Sequence, residues 1–75
     1  MNDLLVLKRV RTLASSGQAR AIRENAALTV AEVARAAEIS TKSLTRWETC
    51  ERTPHGDGAL RYAAVLDELQ ADELK

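Results

Sequence analysis

This 75-residue chain has one cysteine, Cys50, and one histidine, His55, the side chains readiest to act as nucleophile and as base near neutral pH. A catalytic centre would need both groups held against a third that orients them, and a metal centre would need several ligands at fixed spacing. One cysteine and one histidine make neither a disulfide nor a closed zinc site, and no glycine-rich phosphate loop appears. The chain therefore reads as a non-enzyme, with no cofactor and no metal. Cys50, near a helix end, reads as an incidental thiol, and His55, between Pro54 and Gly56, as an exposed loop residue. The remaining chemistry is that of cations. Taken alone, Lys42 and Arg46 mark only a solvated helix face.

Formal net charge is zero, with 11 Lys and Arg against 11 Asp and Glu, which argues against a nonspecific nucleic-acid coat. Distribution says more than the sum. Residues 1–52 carry nine bases against six acids, a net of +3, and residues 53–75 carry two against five, a net of −3. A basic body with an acidic tail lets one face meet phosphate while the other is kept off it.

The elements that must position these cations are helical. Ala, Leu, Arg and Glu dominate, Gly and Pro are nearly absent from the patterned segments, and there is no Phe, so the expected fold is all-α, a compact bundle of about five short helices. Leu4, Leu7, Val10 and Leu13 or Ala14 recur at helical spacing after a possible cap at Asn2 or Asp3, giving an N-terminal helix or arm over 1–15. Ser15-x-x-Gln18 has the form of a capping box and predicts a helix to about Asn25, with Ala19 and Ile22 inward. Thr29-x-x-Glu32 is a second capping box, with Leu28 and Val33 spaced as a hydrophobic staple. Ser40 or Thr41 caps the next helix, which buries Leu44 and Trp47 and ends near Glu48. After a loop around Pro54, Asp57 is expected to cap a last helix that turns Leu60, Ala63, Ala64, Leu66 or Val65, and Leu69 inward.

The run "IRENAALTVAEVARAAEISTKSLTRWETCERTP" resembles the helix-turn-helix of the lambda repressor/Cro-type (XRE-like) family, over roughly residues 18–66. The resemblance rests on the Thr29 cap, the small Ala34 where two helices cross, Ile39 in the turn, and Leu44 and Trp47 in the core, with Ile22 and Val33 beside them. It implies that the helix over 40–48 lies in the major groove of double-stranded DNA. Its solvent face would present Thr41, Lys42, Thr45 and Arg46 to base edges, with Arg23, Thr29 and Ser43 as phosphate contacts. It also implies an Arg23–Glu48 ion pair. Three positions depart from the family pattern: Glu38 replaces the turn glycine, Val30 replaces a phosphate-binding glutamine, and Cys50 replaces the glycine after the recognition helix.

The expected organisation is thus an arm or helix over 1–15, a DNA-binding domain over 16–71, and an acidic end over 72–75. A core this small stabilises weakly, by about 3–5 kcal/mol, so a partner subunit is expected. The predicted function is sequence-specific transcriptional regulation, as a small bacterial or phage repressor of the Cro kind binding a short inverted repeat as a homodimer. The alternative is a protein-interaction module on the same fold, antitoxin-like or an accessory phage protein, for which the acid excess after Thr53 speaks. Residues 4–7 are too short for a secretory core and have their basic residues on the wrong side, and no long apolar span follows. A soluble, cytoplasmic, nucleoid-associated protein with no membrane partner is expected.

Overall fold

The computed structural model describes residues 3–73, and all regular structure among them is helical. The order is α1 (Asp3–Ser15), α2 (Gln18–Asn25), α3 (Val30–Ala36), α4 (Thr41–Glu48) and α5 (Gly56–Glu73). Three of these helices are only seven or eight residues long, too short to persist alone. Their ends are accordingly well satisfied. Thr29 accepts from the Glu32 amide at 3.1 Å while Glu32 accepts from the Thr29 amide at 2.9 Å, closing the capping box that starts α3. Those bonds from Thr29 hold the Glu32 carboxyl below its ordinary value. The cap is therefore in place at neutral pH and weakens as pH falls through the carboxylate range. Ser40 caps α4, accepting from the Ser43 amide at 3.0 Å.

Three joints end in the same way. Ala27, Glu38 and Cys50 adopt left-handed φ of 59°, 57° and 64° just past α2, α3 and α4. Behind each, paired amides return to the helix, as with Leu28 N–H to Arg23 C=O at 3.2 Å and Ile39 N–H to Ala34 C=O at 2.9 Å, the pattern of a Schellman motif. None of the three is glycine, so each joint holds a conformation that costs an L-residue about 1 kcal/mol.

Two starts differ from the sequence expectation. Ser15 belongs to the last turn of α1, its hydroxyl donating to Thr12 C=O, so it does not form the capping box with Gln18. Gly17, at φ 84°, is the residue before α2. The last helix begins at Gly56, placing Asp57 inside its first turn, where its charge favours the helix N-terminus without capping it. Asn2, the alternative first cap, and residues 74 and 75 of the acidic end lie outside the described residues.

One core joins all five helices. Val10 from α1 lies in it with Ala19, Ile22, Val33, Ala34, Leu44 and Trp47, Ala14 is buried on the same helix, and an Arg9–Asp67 ion pair ties α1 to α5 outside it. Among the described residues α1 (Asp3–Ser15) is thus a helix packed in the core shared with the other four. Ile39 is half-buried at the edge. The buried face of α5 is Ala59, Tyr62, Ala63 and Leu66, while Leu60, Val65 and Leu69 are half-buried and Ala64 is exposed. Two contacts set this rotation. The Tyr62 ring packs 5.6 Å from Trp47, and Gly58 faces Ile39 so closely that a Cβ there would lie 2.7 Å from its Cγ2.

Candidate nucleic-acid interface

Helix α4 divides cleanly into two faces. Leu44 and Trp47 are buried, while Thr41, Lys42 and Thr45 are exposed and Arg46 and Ser43 are half-exposed. The four residues expected at base edges thus share one side of one helix, and Ser43 stands beside them. Thr29 is exposed at the start of α3, its side-chain oxygen engaged in the capping box.

The frame behind α4 is unusually polar for so small a fold. Arg23 of α2 donates from Nε and Nη2 to the two Glu48 carboxylate oxygens at 2.7 and 2.9 Å, and from Nη1 to Leu28 C=O at 2.9 Å. Only 11% of the Arg23 side chain and 5% of that of Glu48 remain exposed. Hydrogen bonding to Glu48 raises the guanidinium above its already high value. A planar fork meeting a carboxylate two-fold fixes angle as well as distance, so the pair sets how α4 sits on α2. The three donors engaged with Glu48 and Leu28 face inward, so Arg23 acts as a joint in the frame.

A second cation, which sequence reasoning left unassigned, holds the turn. Arg61 of α5 donates to the Ala37 and Glu38 carbonyls at 2.8 and 3.1 Å, meeting the negative end of α3 where its last carbonyls would otherwise be open. Its approach depends on the rotation of α5, which buries the expected Ala63 and Leu66 but centres on Ala59 and Tyr62 instead of Leu60 and Ala64.

The described cations divide by whether a carboxylate meets them. Arg9, Arg20, Arg23 and Arg61 each have a carboxylate partner. Among the described residues Lys8, Arg11, Arg35, Lys42, Arg46 and Arg52 have none, and Lys42, Arg46 and Arg52 lie on α4 or just after it. Arg52 follows α4 in the loop and lines a small cavity with Ser43, Arg46, Trp47 and His55. Arg11 reaches the same loop from α1, donating to Pro54 C=O at 2.8 Å. Arg52 and His55 were legible only as a basic residue and a histidine near Pro54; their convergence with Ser43 and Arg46 needs the bend at Cys50. Among the described residues no cluster of three or more His, Cys, Asp or Glu is arranged to hold a metal ion. No described helix is long and apolar enough to cross a membrane.

A family model described as a helix-turn-helix domain matches residues 16–74. No curated protein and no solved structure matches the chain at a significant level.

Proposed function

Because the chain belongs to the helix-turn-helix domain family, which suggests a DNA-binding regulator, we propose that it is a sequence-specific transcriptional repressor of the Cro kind, binding a short inverted repeat as a homodimer. One observation carries the reading: the outward face of α4 holds Thr41, Lys42, Thr45 and Arg46 together, and neither of its two cations has a carboxylate partner among the described residues. In this role Arg46 and Lys42 donate to guanine O6 and N7, and Thr41 and Thr45 meet a base or a thymine methyl. Ser43 and the Thr29 end of α3 meet phosphate. Two copies on half-sites one helical turn apart supply the specificity that a single short helix lacks.

The test is selection of bound sequences from a random DNA pool, with Arg46→Ala in parallel. The expected outcome is an inverted repeat that loses one base preference in the variant, worth about 1–3 kcal/mol at that position. Equal loss on selected and random DNA would remove Arg46 from base reading.

A second reading, a protein-interaction module of the antitoxin or phage-accessory type, draws support from an open apolar groove of about 450 Å³ between α3 and α5. Leu28, Val33, Val65 and Leu69 line it together with Glu32, Arg61 and Glu68. Salt separates the two: retention on DNA falls steeply with ionic strength if phosphate is bound, and there is no retention at any salt if the groove alone is the functional surface.

A further inference from the structure

The cavity beside α4 has a volume of about 150 Å³, several times the roughly 30 Å³ of a water molecule and enough for a phosphate group. Its lining is Ser43, Arg46, Trp47, Arg52 and His55, with no acidic side chain. Separate contacts hold its walls. The Arg52 amide donates to Arg46 C=O at 3.1 Å, tying the loop to the end of α4. The Ser40 hydroxyl donates to Ser43 Oγ at 2.9 Å, which leaves Ser43 its own proton to donate elsewhere. His55 stands edge-on to Trp47, with ring centroids 6.1 Å apart and planes at 72°.

His55 Nδ1 lies 3.2 Å from Thr53 C=O. A carbonyl oxygen only accepts, so Nδ1 carries the proton in this contact and Nε2 is the nitrogen left to gain one. In the neutral ring Nε2 offers a lone pair, which repels a phosphate oxygen. In the imidazolium it donates.

We propose that this cavity is a cradle for a phosphate of the DNA backbone, and that His55 takes up a proton as the phosphate enters. The proposal rests on the DNA-binding reading and deepens it by naming Arg52 and His55 as contacts flanking the base-reading face. Arg46 and Arg52 line the same cavity and Arg11 reaches the adjoining Pro54 carbonyl from α1, so three cations stand close to where a phosphate would enter. Glu51 and Asp57 flank the histidine in sequence without lining the cavity. An entering phosphate offsets the charge of these cations and accepts from Nε2. The complex therefore holds the imidazolium more tightly than the free protein does, and binding strengthens as pH falls through the imidazole range near about 6.5.

The chain has a single histidine, so its ring can be followed alone. The experiment measures binding of the full chain to a short fluorescein-labelled duplex of mixed sequence, at fixed low salt, between about pH 5.5 and pH 8. In parallel, the His55 ring is titrated by NMR with and without that duplex. We expect binding about tenfold tighter at the acid end, equivalent to an upward shift of about one pKa unit in the complex. His55→Gln should flatten the pH profile at the weaker, alkaline level, and Arg52→Gln should weaken binding at every pH and lower the salt slope by about one. A His55 ring that titrates alike in both states, or a His55→Gln profile parallel to the parent's, overturns the cradle while leaving DNA binding intact. No binding by the parent at any pH overturns the DNA-binding reading and the cradle with it.

Discussion

Replacing Glu48 with glutamine keeps the shape of the side chain and removes the charge that Arg23 faces. In the parent, two charge-assisted hydrogen bonds of 2.7 and 2.9 Å join them, and the side chains are 11% and 5% exposed, so solvent screens the pair little. Removing one partner of a buried pair leaves the other charge uncompensated, a loss of about 3–5 kcal/mol. The glutamine oxygen still accepts one bond, which places the expected loss near the lower end, at about 3 kcal/mol. A domain of this size has a total stability of about 3–5 kcal/mol, so the change removes most of it. At about 4–8 °C per kcal/mol, the melting midpoint should fall by about 12–24 °C. Trp47, the chain's one tryptophan, is adjacent to Glu48 and reports the transition by fluorescence alongside circular dichroism. Arg23→Lys should fall nearly as far, because an ammonium cannot reproduce the two-fold fork or reach Leu28 C=O with the same geometry. A Glu48→Gln midpoint within about 3 °C of the parent, less than 1 kcal/mol on the same scale, would refute the view that this pair holds α4 on α2.

Tyr62 is fully buried and its hydroxyl has no hydrogen-bond partner among the described residues, so Tyr62→Phe should stabilise the protein by about 1 kcal/mol, read as a higher denaturation midpoint; a loss of that size would mean the hydroxyl is satisfied. Burial, with the nearby Glu48 charge, holds this sole tyrosine well above its ordinary value. Its stabilising contribution is present below about pH 10 and declines above it, so tyrosinate absorbance should appear together with loss of helicity, and its appearance in a still-folded protein would contradict the burial. Glu38→Gly relieves a left-handed φ of 57° and gives up only an exposed 3.7 Å contact between carboxylate and Arg61, so urea unfolding should show a gain of up to about 1 kcal/mol; a loss would mean that the joint is not strained.

The two capped helices of the motif were legible because their signals are local. Thr29 with Glu32 and Ser40 before Thr41 are cap residues whose chemistry acts within one turn, and Leu44 and Trp47 follow at the spacing of one helical face. The left-handed residues Glu38 and Cys50 were readable only against a family pattern that has glycine there, and Ala27, with no such flag, passed unnoticed. The first capping box failed because Ser15 had a competing partner: inside α1 its hydroxyl bonds Thr12 C=O, and the glycine two residues on takes the turn.

What the sequence determined by itself was an all-helical chain with a short, capped, amphipathic α4 carrying Thr41, Lys42, Thr45 and Arg46 on one side. Such features follow from spacing along a single helix, which the order of residues contains. The tertiary structure decided which cations belong to the frame and which are left outward. Arg23 is turned inward by Glu48, 25 residues away, and Arg61 reaches Ala37 across 24. It also decided the rotation of α5, where apolar residues occupy more of the circumference than the core can cover. A repeating pattern then admits several buried faces, and the contacts of Tyr62 with Trp47 and of Gly58 with Ile39 select one. The gathering of Ser43, Arg46, Arg52 and His55 around one cavity has the same origin, since it depends on a chain reversal at Cys50 that brings loop and helix together in space.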